Sequence, residues 1–277
     1  MSPDQYCQQK AAASGSSFYY SFLFLPAERR RAITALYAFC REVDDVVDES
    51  PDPQLAATRL AWWRVEVGNL YAGSPQHPVT KALAPFAEPF SIRHAMLSEI
   101  IDGMEMDLTQ TRYLDWPGLE RYCYRVASVV GILAAGIFGY RDPRTLDYAR
   151  NLGLAFQLTN IIRDVGEDAR KNRIYLPMED LKQFGVPAAD ILGARESDGF
   201  RRLMAFEAER AKAYYAAALA ALPAEDRKAQ RAGLIMAGIY RALLDEIERD
   251  GYRVLQGKTS LTPLRKFWIA WRTWAGA

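Results

Sequence analysis

The sequence has almost no excess of either charge sign. Its 35 Lys and Arg residues face 34 Asp and Glu residues, which leaves a net charge of +1 over 277 residues. A nucleic-acid-binding protein normally carries a clear basic excess, and an acidic disordered tail needs a run of carboxylates. The composition therefore argues against both classes, and we expect no nucleic-acid partner.

Cysteine and histidine are scarce as well. The three cysteines, Cys7, Cys40 and Cys123, show no CxxC spacing, and their odd number excludes a complete disulfide framework. This pattern favours a reducing cytoplasm. His77 and His94 lie too far apart in the sequence to predict a histidine-based metal site.

Long hydrophobic runs are missing too. The uncharged run of most interest, 126–140, has 15 residues, fewer than the ~20 that a transmembrane helix needs. The apolar stretch 18–25 precedes Glu28 and three arginines, and it has neither a basic leader nor a small-residue cleavage site. We therefore expect no membrane span and no signal peptide.

Strand signals are nearly absent. The sequence shows no sustained period-two alternation, no hairpin turn between β-branched runs and no repeat at solenoid periods. Helical patterns cover most of the chain instead, which predicts one all-α domain over residues 1–277. The expected helices are 26–49, 55–71, 77–88, 91–107, 119–138, 146–168, 197–221, 225–256 and a short one from about 263, with a loop-rich crossing at 173–187.

The sequence does contain a polar stripe on an apolar helix. The stripe consists of Tyr37, Arg41, Asp44 and Asp48, spaced by four, three and four residues. At about 100° per residue these side chains share a sector roughly 60° wide. Such spacing normally carries the apolar seam of a bundle helix, so here the carboxylates are predicted to point into the protein.

A second helix carries a similar stripe. Its members are Gln157, Asn160, Asp164 and Asp168, spaced by three, four and four residues. They share a sector roughly 80° wide. Apolar neighbours such as Ile161 can pack on both sides of it, so two amides and two carboxylates project along one line.

Paired carboxylates one helical turn apart suit a divalent cation. One DxxxD pair alone more often lies on a solvated face, but two pairs on otherwise apolar helices favour a site. Mg²⁺ is held by one or two carboxylates together with phosphate oxygens of a substrate. Around one cavity the four carboxylates would need cations, because two like charges ~4 Å apart cost about 4 kcal/mol at an effective dielectric near 20. Carboxylates, Mg²⁺ and the neighbouring arginines together are the groups expected at a diphosphate-binding site. Surface ion pairing explains the basic residues of 170–173 equally well.

At these residues the chain resembles the squalene/phytoene synthase family. The matching strings are 36–48 (LYAFCREVDDVVD), 122–127 (YCYRVA), 157–170 (QLTNIIRDVGEDAR) and 173–177 (RIYLP). The two aspartate motifs stand 120 residues apart, and the similarity extends from Ser14 to about Lys266. The resemblance implies an isoprenoid-synthase fold, a helical bundle around a central cavity, that joins two prenyl diphosphates head to head.

The resemblance also implies roles for individual residues. The metal ligands are Asp44 and Asp48 from the first motif and Asn160, Asp164 and Asp168 from the second, with Mg²⁺ as cofactor and Mn²⁺ as a substitute. The substrate-binding residues are Ser14, Ser16, Ser17, Tyr37, Arg41, Gln157, Arg163, Arg173 and Tyr240. The catalytic residues are Arg41, Arg163 and Tyr122. Tyr122 matches a family tyrosine that is implicated in proton removal or in carbocation steering. Released diphosphate is the alternative acceptor of the proton.

Within the family, the opening 14–26 and the string 126–128 are most similar to bacterial presqualene diphosphate synthases of the hopanoid pathway. The expected reaction is Mg²⁺-dependent condensation of two farnesyl diphosphates to presqualene diphosphate, with release of diphosphate. A phytoene, dehydrosqualene or NADPH-using squalene synthase is the alternative within the family, and a non-catalytic metal-binding bundle is the alternative outside it. Later enzymes of the squalene pathway are expected partners.

Two sequence features allow two interpretations each. The small residues 127, 131 and 134–135 either leave room for a prenyl tail or let helices pack closely. The aromatic and basic segment 266–274 either packs on the bundle or contacts a membrane. The expected location is therefore the cytoplasm, and the alternative is a cytoplasmic protein in peripheral contact with the inner membrane.

Overall fold

The computed structural model describes residues 1–13, 21–22, 25–50 and 52–276. These residues form helices and no strand, which confirms the all-α prediction, and the one isolated β-bridge among them pairs Arg112 with Ile174. The α-helices are α1 (Pro3–Ala13), α2 (Ala27–Asp48), α3 (Pro53–Tyr71), α4 (Pro78–Ala87), α5 (His94–Thr109), α6 (Trp116–Cys123), α7 (Val129–Phe138), α8 (Arg144–Arg170), α9 (Met178–Gln183), α10 (Ala188–Leu192), α11 (Asp198–Ala221), α12 (Arg231–Arg249) and α13 (Pro263–Gly276). A π-helical segment (Tyr124–Ser128) joins α6 to α7, and a 3₁₀ turn (Ala224–Asp226) precedes α12.

Side-chain caps fix several helix starts. The Asp52 carboxylate accepts a hydrogen bond from the backbone N–H of Gln54 at the start of α3. The Ser197 hydroxyl accepts one from the N–H of Phe200 at the start of α11. Each cap satisfies a backbone donor that the first helical turn leaves unpaired. The predicted starts of these two helices agree with the structure to within two residues.

The predicted helix 225–256 is wrong at both ends, since α12 is shorter. The Asp226 carboxylate accepts hydrogen bonds from two backbone N–H groups before α8 and from the Thr145 hydroxyl, which fixes the 3₁₀ turn to α8. Gly251 has a φ of +70°, which ends the right-handed helix. The structure also adds α1, α9 and α10, which the sequence patterns did not predict.

The core consists of two clusters of buried side chains. One cluster is built mainly from α6 and α8–α13, and the other mainly from α1–α5 and α7. Val126 of the π-helical segment packs against both clusters. The two aspartate-bearing helices, α2 and α8, therefore contribute to different clusters.

The segment 124–138 and α8 approach each other closely enough to require glycine. A Cβ atom at Gly153 would lie 2.6 Å from the Ala127 carbonyl oxygen, and one at Gly131 would lie 2.6 Å from that of Ala149. Ser128 is buried in this contact, and its hydroxyl donates to a carbonyl oxygen of α8 at 2.8 Å. Helix packing therefore accounts for Ser128, one of the residues that carry the finer resemblance.

The continuous helix Trp116–Phe138 is long and apolar enough to cross a membrane by length and composition. Core helices pass the same test. Leu119, Cys123 and Leu133 of this helix are buried in the two clusters. The helix therefore occupies the position of a core helix.

Candidate active site

The two polar stripes line one cavity, which we call the acidic cavity. Its volume is about 300 Å³, and α2 and α8 form opposite parts of its wall. The stripe residues in this wall are Arg41, Asp44, Asp48, Gln157, Asn160, Asp164 and Asp168. The structure thus brings together two motifs that lie 120 residues apart in the sequence.

Arg41 pairs with two carboxylates of the first motif. Its Nη1 donates to Asp44 Oδ2 at 2.5 Å, and its Nη2 donates to Asp45. Lys10 Nζ of α1 lies 2.8 Å from the other oxygen of Asp45. Arg41 is therefore held with its guanidinium beside the acidic cavity.

Cations pair with the second motif as well. Arg163 Nε donates to Asp164 Oδ1 at 2.8 Å, and its Nη2 donates to the other oxygen of the same carboxylate. Lys258 Nζ lies 3.1 Å from Asp164 Oδ1 and 2.9 Å from Glu167 Oε2. The sequence patterns missed Lys258, because it stands in an irregular segment 91 residues after Glu167.

Arg173 and Lys171 approach the first motif from the opposite wall. Arg173 Nη1 lies 3.4 Å and Lys171 Nζ lies 3.5 Å from Asp48 Oδ1. The backbone N–H of Ile174 donates to the Thr111 carbonyl oxygen at 3.0 Å, which fixes the strand-like segment that carries Arg173. These pairs identify 171–173 as part of the cavity rather than as a solvated cluster.

Burial raises the pKa of two motif carboxyls. It raises that of Asp44 to about 6 against the opposing effect of Arg41. It raises that of Asp168 to about 7, and the nearby Asp164 carboxylate adds to the rise. Burial also acts on Asp164, but Arg163 hydrogen bonds and charge hold its pKa below the ordinary value. Burial therefore disfavours the ionised forms of Asp44 and Asp168, which a bound cation would favour instead.

Asn160 supplies an oxygen that no described group uses. Its Oδ1 atom is buried and has no hydrogen-bond partner within residues 1–13, 21–22, 25–50 and 52–276. In the same residues no group of three or more His, Cys, Asp or Glu side chains is arranged to hold a metal ion by itself. The donor set therefore fits a hard divalent cation that takes its remaining ligands from water and phosphate oxygens.

Asp107 is a functional candidate that the motif analysis missed. It lies in the wall of the acidic cavity and is only 8% exposed. Tyr122 Oη donates to its Oδ2 at 2.9 Å, and Tyr175 Oη donates to its Oδ1 at 2.7 Å. The two tyrosine rings stack with centroids 5.2 Å apart. The three residues form a buried unit, which we call the Asp107 trio.

An apolar cavity of about 200 Å³ adjoins the acidic cavity. The two cavities share the wall residues Cys40, Val126, Gln157 and Asn160. The small residues 127, 131 and 134–135 all line the apolar cavity. Residues 127 and 131 also lie at the close contact with α8, so helix packing accounts for these two, and room for a prenyl tail stays a prediction.

The remaining predicted site residues lie at different distances from the acidic cavity. Tyr37 lines the apolar cavity, although it belongs to the same stripe as Arg41. Tyr240 is buried beside Arg163; burial raises the pKa of its hydroxyl, and the guanidinium opposes this rise. The predicted residues Ser14, Ser16 and Ser17 lie outside the described residues.

Comparison with known sequences agrees with this geometry. The squalene/phytoene synthase family model matches residues 11–265. The chain is 35% identical over 276 residues to the phytoene synthase of Arthrospira platensis, which covers 94% of this chain and 88% of that protein. It is 38% identical over 257 residues to the phytoene synthase of Mycobacterium bovis, which covers 92% of this chain and 84% of that protein.

Comparison with solved structures supports the same fold. The squalene synthase HpnC from Alicyclobacillus acidocaldarius matches with a TM-score of 0.81 at 30% identity, over 90% of this chain and 94% of that chain. A dehydrosqualene synthase in complex with a ligand matches with a TM-score of 0.86 at 28% identity, over 99% of this chain and 96% of that chain. The predicted isoprenoid-synthase fold is thus confirmed.

Proposed function

Since this chain belongs to the squalene/phytoene synthase family, whose members are prenyltransferases of isoprenoid biosynthesis, we propose that it joins two farnesyl diphosphates head to head. The proposed product is presqualene diphosphate, with release of one diphosphate. One observation carries the proposal: two carboxylate motifs and three arginines line a cavity that shares four wall residues with an apolar one. The acidic cavity would bind the diphosphate groups, and the neighbouring apolar cavity would bind a hydrocarbon tail.

Mg²⁺ is the proposed cofactor, with Mn²⁺ as a substitute. Bound by Asp44 and Asp48 on one wall and by Asn160, Asp164 and Asp168 on the other, it would neutralise the diphosphate leaving group. The raised pKa values of Asp44 and Asp168 and the unpartnered Oδ1 of Asn160 support this assignment.

The arginines of the cavity are proposed to bind diphosphate oxygens. Arg41, Arg163 and Arg173 reach the cavity while paired with its carboxylates. Planar guanidinium groups bind diphosphate by two parallel hydrogen bonds. As the C1–O bond of the first farnesyl group breaks, these donors stabilise the charge that develops on the leaving diphosphate.

The condensation then needs one new bond, one ring closure and one proton loss. The C2–C3 double bond of the second farnesyl group attacks C1 of the allylic cation, and loss of a proton closes the cyclopropane. Burial and the nearby Asp107 carboxylate raise the pKa of Tyr122 well above its ordinary value, so its hydroxyl stays protonated and donates to Asp107. We therefore assign carbocation steering to the Tyr122 ring and proton removal to the released diphosphate.

The apolar cavity is proposed to hold a farnesyl tail and to exclude water from the cation. Its wall combines aliphatic and aromatic side chains such as Leu36, Leu152 and Phe156. Burying fifteen tail carbons at ~0.8 kcal/mol each gives an upper bound near 12 kcal/mol, before association costs. Tyr37 lies in the same wall and is close enough to Arg41 to raise the pKa of its guanidinium, so it is proposed to bind the substrate where tail and diphosphate meet.

Product analysis tests the proposal. The purified chain is incubated with Mg²⁺ and farnesyl diphosphate, with geranylgeranyl diphosphate, and with farnesyl diphosphate plus NADPH. We expect a C30 cyclopropyl diphosphate from the first mixture and no further reduction in the third. A C40 product from geranylgeranyl diphosphate, with farnesyl diphosphate ignored, would overturn the substrate assignment.

A C40 phytoene synthase is the second candidate. The observation in its favour is that the relatives in Arthrospira platensis and Mycobacterium bovis bear that name. The structural match to a dehydrosqualene synthase and the resemblance at the chain's opening favour a C30 product instead. The same incubation separates the two.

A non-catalytic metal-binding bundle is less well supported. Its metal would need protein ligands, yet neither histidine lines the acidic cavity. The His77 ring packs 4.8 Å from that of Trp63, and the His94 ring packs 5.4 Å from that of Tyr71. Product formation that survives both Asp44→Ala and Asp164→Ala would instead favour this candidate.

The proposed product keeps one diphosphate, so a later step must ionise it again. We therefore propose that a following enzyme of the squalene pathway consumes it. The cytoplasm is the proposed location, because the three cysteines of the chain are unpaired thiols.

A further inference from the structure

Helix α13 turns an aromatic face away from the protein. The residues of this face are Leu264, Phe267, Trp268, Trp271 and Trp274, and they are between 41% and 83% exposed. Their spacing of three or four residues places them on one side of the helix. A surface helix normally shows polar residues there, so five large apolar side chains call for an explanation.

The aromatic face is not the face by which α13 is attached. Ile269 and Ala270 are buried on the opposite side of the helix. A Cβ atom at Gly238 of α12 would lie 3.0 Å from Ile269 Cγ2, which shows how closely the two helices pack. The packing prediction for this segment is therefore right for one face and leaves the aromatic face unexplained.

Charge on α13 is of one sign. The helix contains Arg265, Lys266 and Arg272 and no acidic residue. Arg265 pairs with Glu246 of α12 at 2.6 Å, and Lys266 lies on the packed side, where burial and the Arg163 guanidinium lower its pKa. The Arg272 guanidinium lies 4.7 Å from the centroid of the Trp268 ring, beside the aromatic face. Tryptophan and phenylalanine flanked by basic residues are typical of helices that lie in the interface of an anionic membrane.

A third cavity lies between this helix and the apolar cavity. It has a volume of about 630 Å³, and its wall includes Trp274 and the basic residues Arg141 and Lys228. It shares Phe138 and Ala232 with the apolar cavity. Phe138 ends the helix whose middle residue Val126 borders the acidic cavity, so the third cavity and the acidic cavity adjoin the apolar cavity at positions 12 residues apart along that helix.

We propose that the aromatic face of α13 docks on the surface of an anionic lipid bilayer. The third cavity, whose wall includes Trp274, would then lie next to lipid, which would bring a C30 hydrocarbon in the neighbouring apolar cavity close to the bilayer; this last point rests on the proposed function. Docking itself follows from the exposed aromatic residues and the charge of the helix.

Vesicle flotation tests the proposal without substrate. The full chain is mixed with vesicles of equimolar phosphatidylglycerol and phosphatidylcholine, or of phosphatidylcholine alone. We expect binding to the anionic vesicles that weakens at high salt, and at least about tenfold weaker binding by the double variant Trp268→Ser/Trp271→Ser. Trp62→Ser is the matched control, since Trp62 is 47% exposed on α3, and it should float like the wild type.

A second variant separates charge from folding effects. Arg272→Glu keeps the aromatic residues, reverses the charge beside Trp268 and should weaken binding to the anionic vesicles. Failure of the wild type to float with either vesicle, or unchanged flotation of the tryptophan variant, would overturn the proposal. A wild-type dimer that the tryptophan variant converts to monomer, without flotation, would assign the face to a second copy instead. A chain that floats but forms no condensation product would contradict the proposed reaction and leave docking intact.

Discussion

Asp107 is a buried carboxylate that two tyrosine hydroxyls share. Burial raises its pKa to about 6, against the lowering effect of the Tyr175 hydrogen bond. Position 107 stands three residues after the buried Met104 on α5, so the helical period already marked it as facing inward. Its partners lie 15 and 68 residues away in the sequence. Only tertiary packing brings the trio together, which is why the motifs did not predict it.

Replacing Asp107 by Asn should lower turnover at least about tenfold, because a small displacement at a reacting site has effects of this size. The amide keeps the shape of the side chain but offers one acceptor oxygen, so the Tyr122 and Tyr175 hydroxyls can no longer both donate. Steady-state kinetics measure the change. Asp102→Asn is the control, because Asp102 lies on the same helix but pairs with Arg64. Full turnover in Asp107→Asn would contradict a role for the trio.

The same variant tests the charge state of Asp107. A carboxyl pKa raised from 3.8 to about 6 means that the folded state binds the proton more tightly than the unfolded state. The stability that this provides is present below the unfolded pKa and is lost as the pH rises through about 6. The free energy of unfolding of the wild type, relative to Asp107→Asn, should therefore fall by about 2 kcal/mol between about pH 4.5 and about pH 7.5. Denaturant unfolding at the two pH values checks this, and a constant difference would contradict it.

At the scale of helices, the aspartate stripes were predictable because apolar neighbours fix the rotation of each helix. Ile161 and Val165 are buried in α8, so the stripe that contains Asp164 has to face the cavity boundary. The helix pattern did not reveal that Tyr37 would line the apolar cavity, nor that Lys258 would reach Asp164. Those contacts depend on how helices and irregular segments meet, which the period of one helix does not encode.

The contact between Ala127 and α8 gives a prediction at the same scale. Gly153→Ala should lower the free energy of unfolding by about 1–3 kcal/mol, because the added methyl group meets backbone atoms that cannot move aside. Gly68→Ala is the matched control. A Cβ atom there meets nothing within 4 Å, and alanine in a helix should stabilise by about 0.5–1 kcal/mol. Urea unfolding measures both, and equal effects would contradict the close packing of these helices.

For the whole molecule, the site joins the two halves of the core. The first motif lies on α2 in one cluster, and the second lies on α8 in the other. Burial, together with neighbouring carboxylates of the same motif, raises the pKa values of Asp44 on one wall and Asp168 on the other, so a cation bound at either wall would favour their ionised forms. Ligands that bind both walls should therefore stabilise the fold as a unit.

Mg²⁺ and inorganic diphosphate added together should raise the melting temperature by more than the sum of the two shifts that each ligand causes alone. At a ligand concentration of about 100 times the dissociation constant, linkage predicts about 2.7 kcal/mol of stabilisation. Differential scanning fluorimetry of the wild type and of Asp168→Asn measures it. The variant should lose most of the combined shift, and an undiminished shift would place the ligands elsewhere.

The central claim is that both aspartate motifs bind metal and diphosphate at the mouth of the apolar cavity. Its most direct test is a crystal structure with Mn²⁺ and a non-reacting farnesyl thiodiphosphate, with the metal located by anomalous scattering. We predict Mn²⁺ peaks about 2.0–2.2 Å from oxygens of Asp44 or Asp48 and of Asn160, Asp164 or Asp168, with the farnesyl chain in the apolar cavity. Diphosphate bound with no metal at either motif, in crystals of an active protein, would contradict the claim.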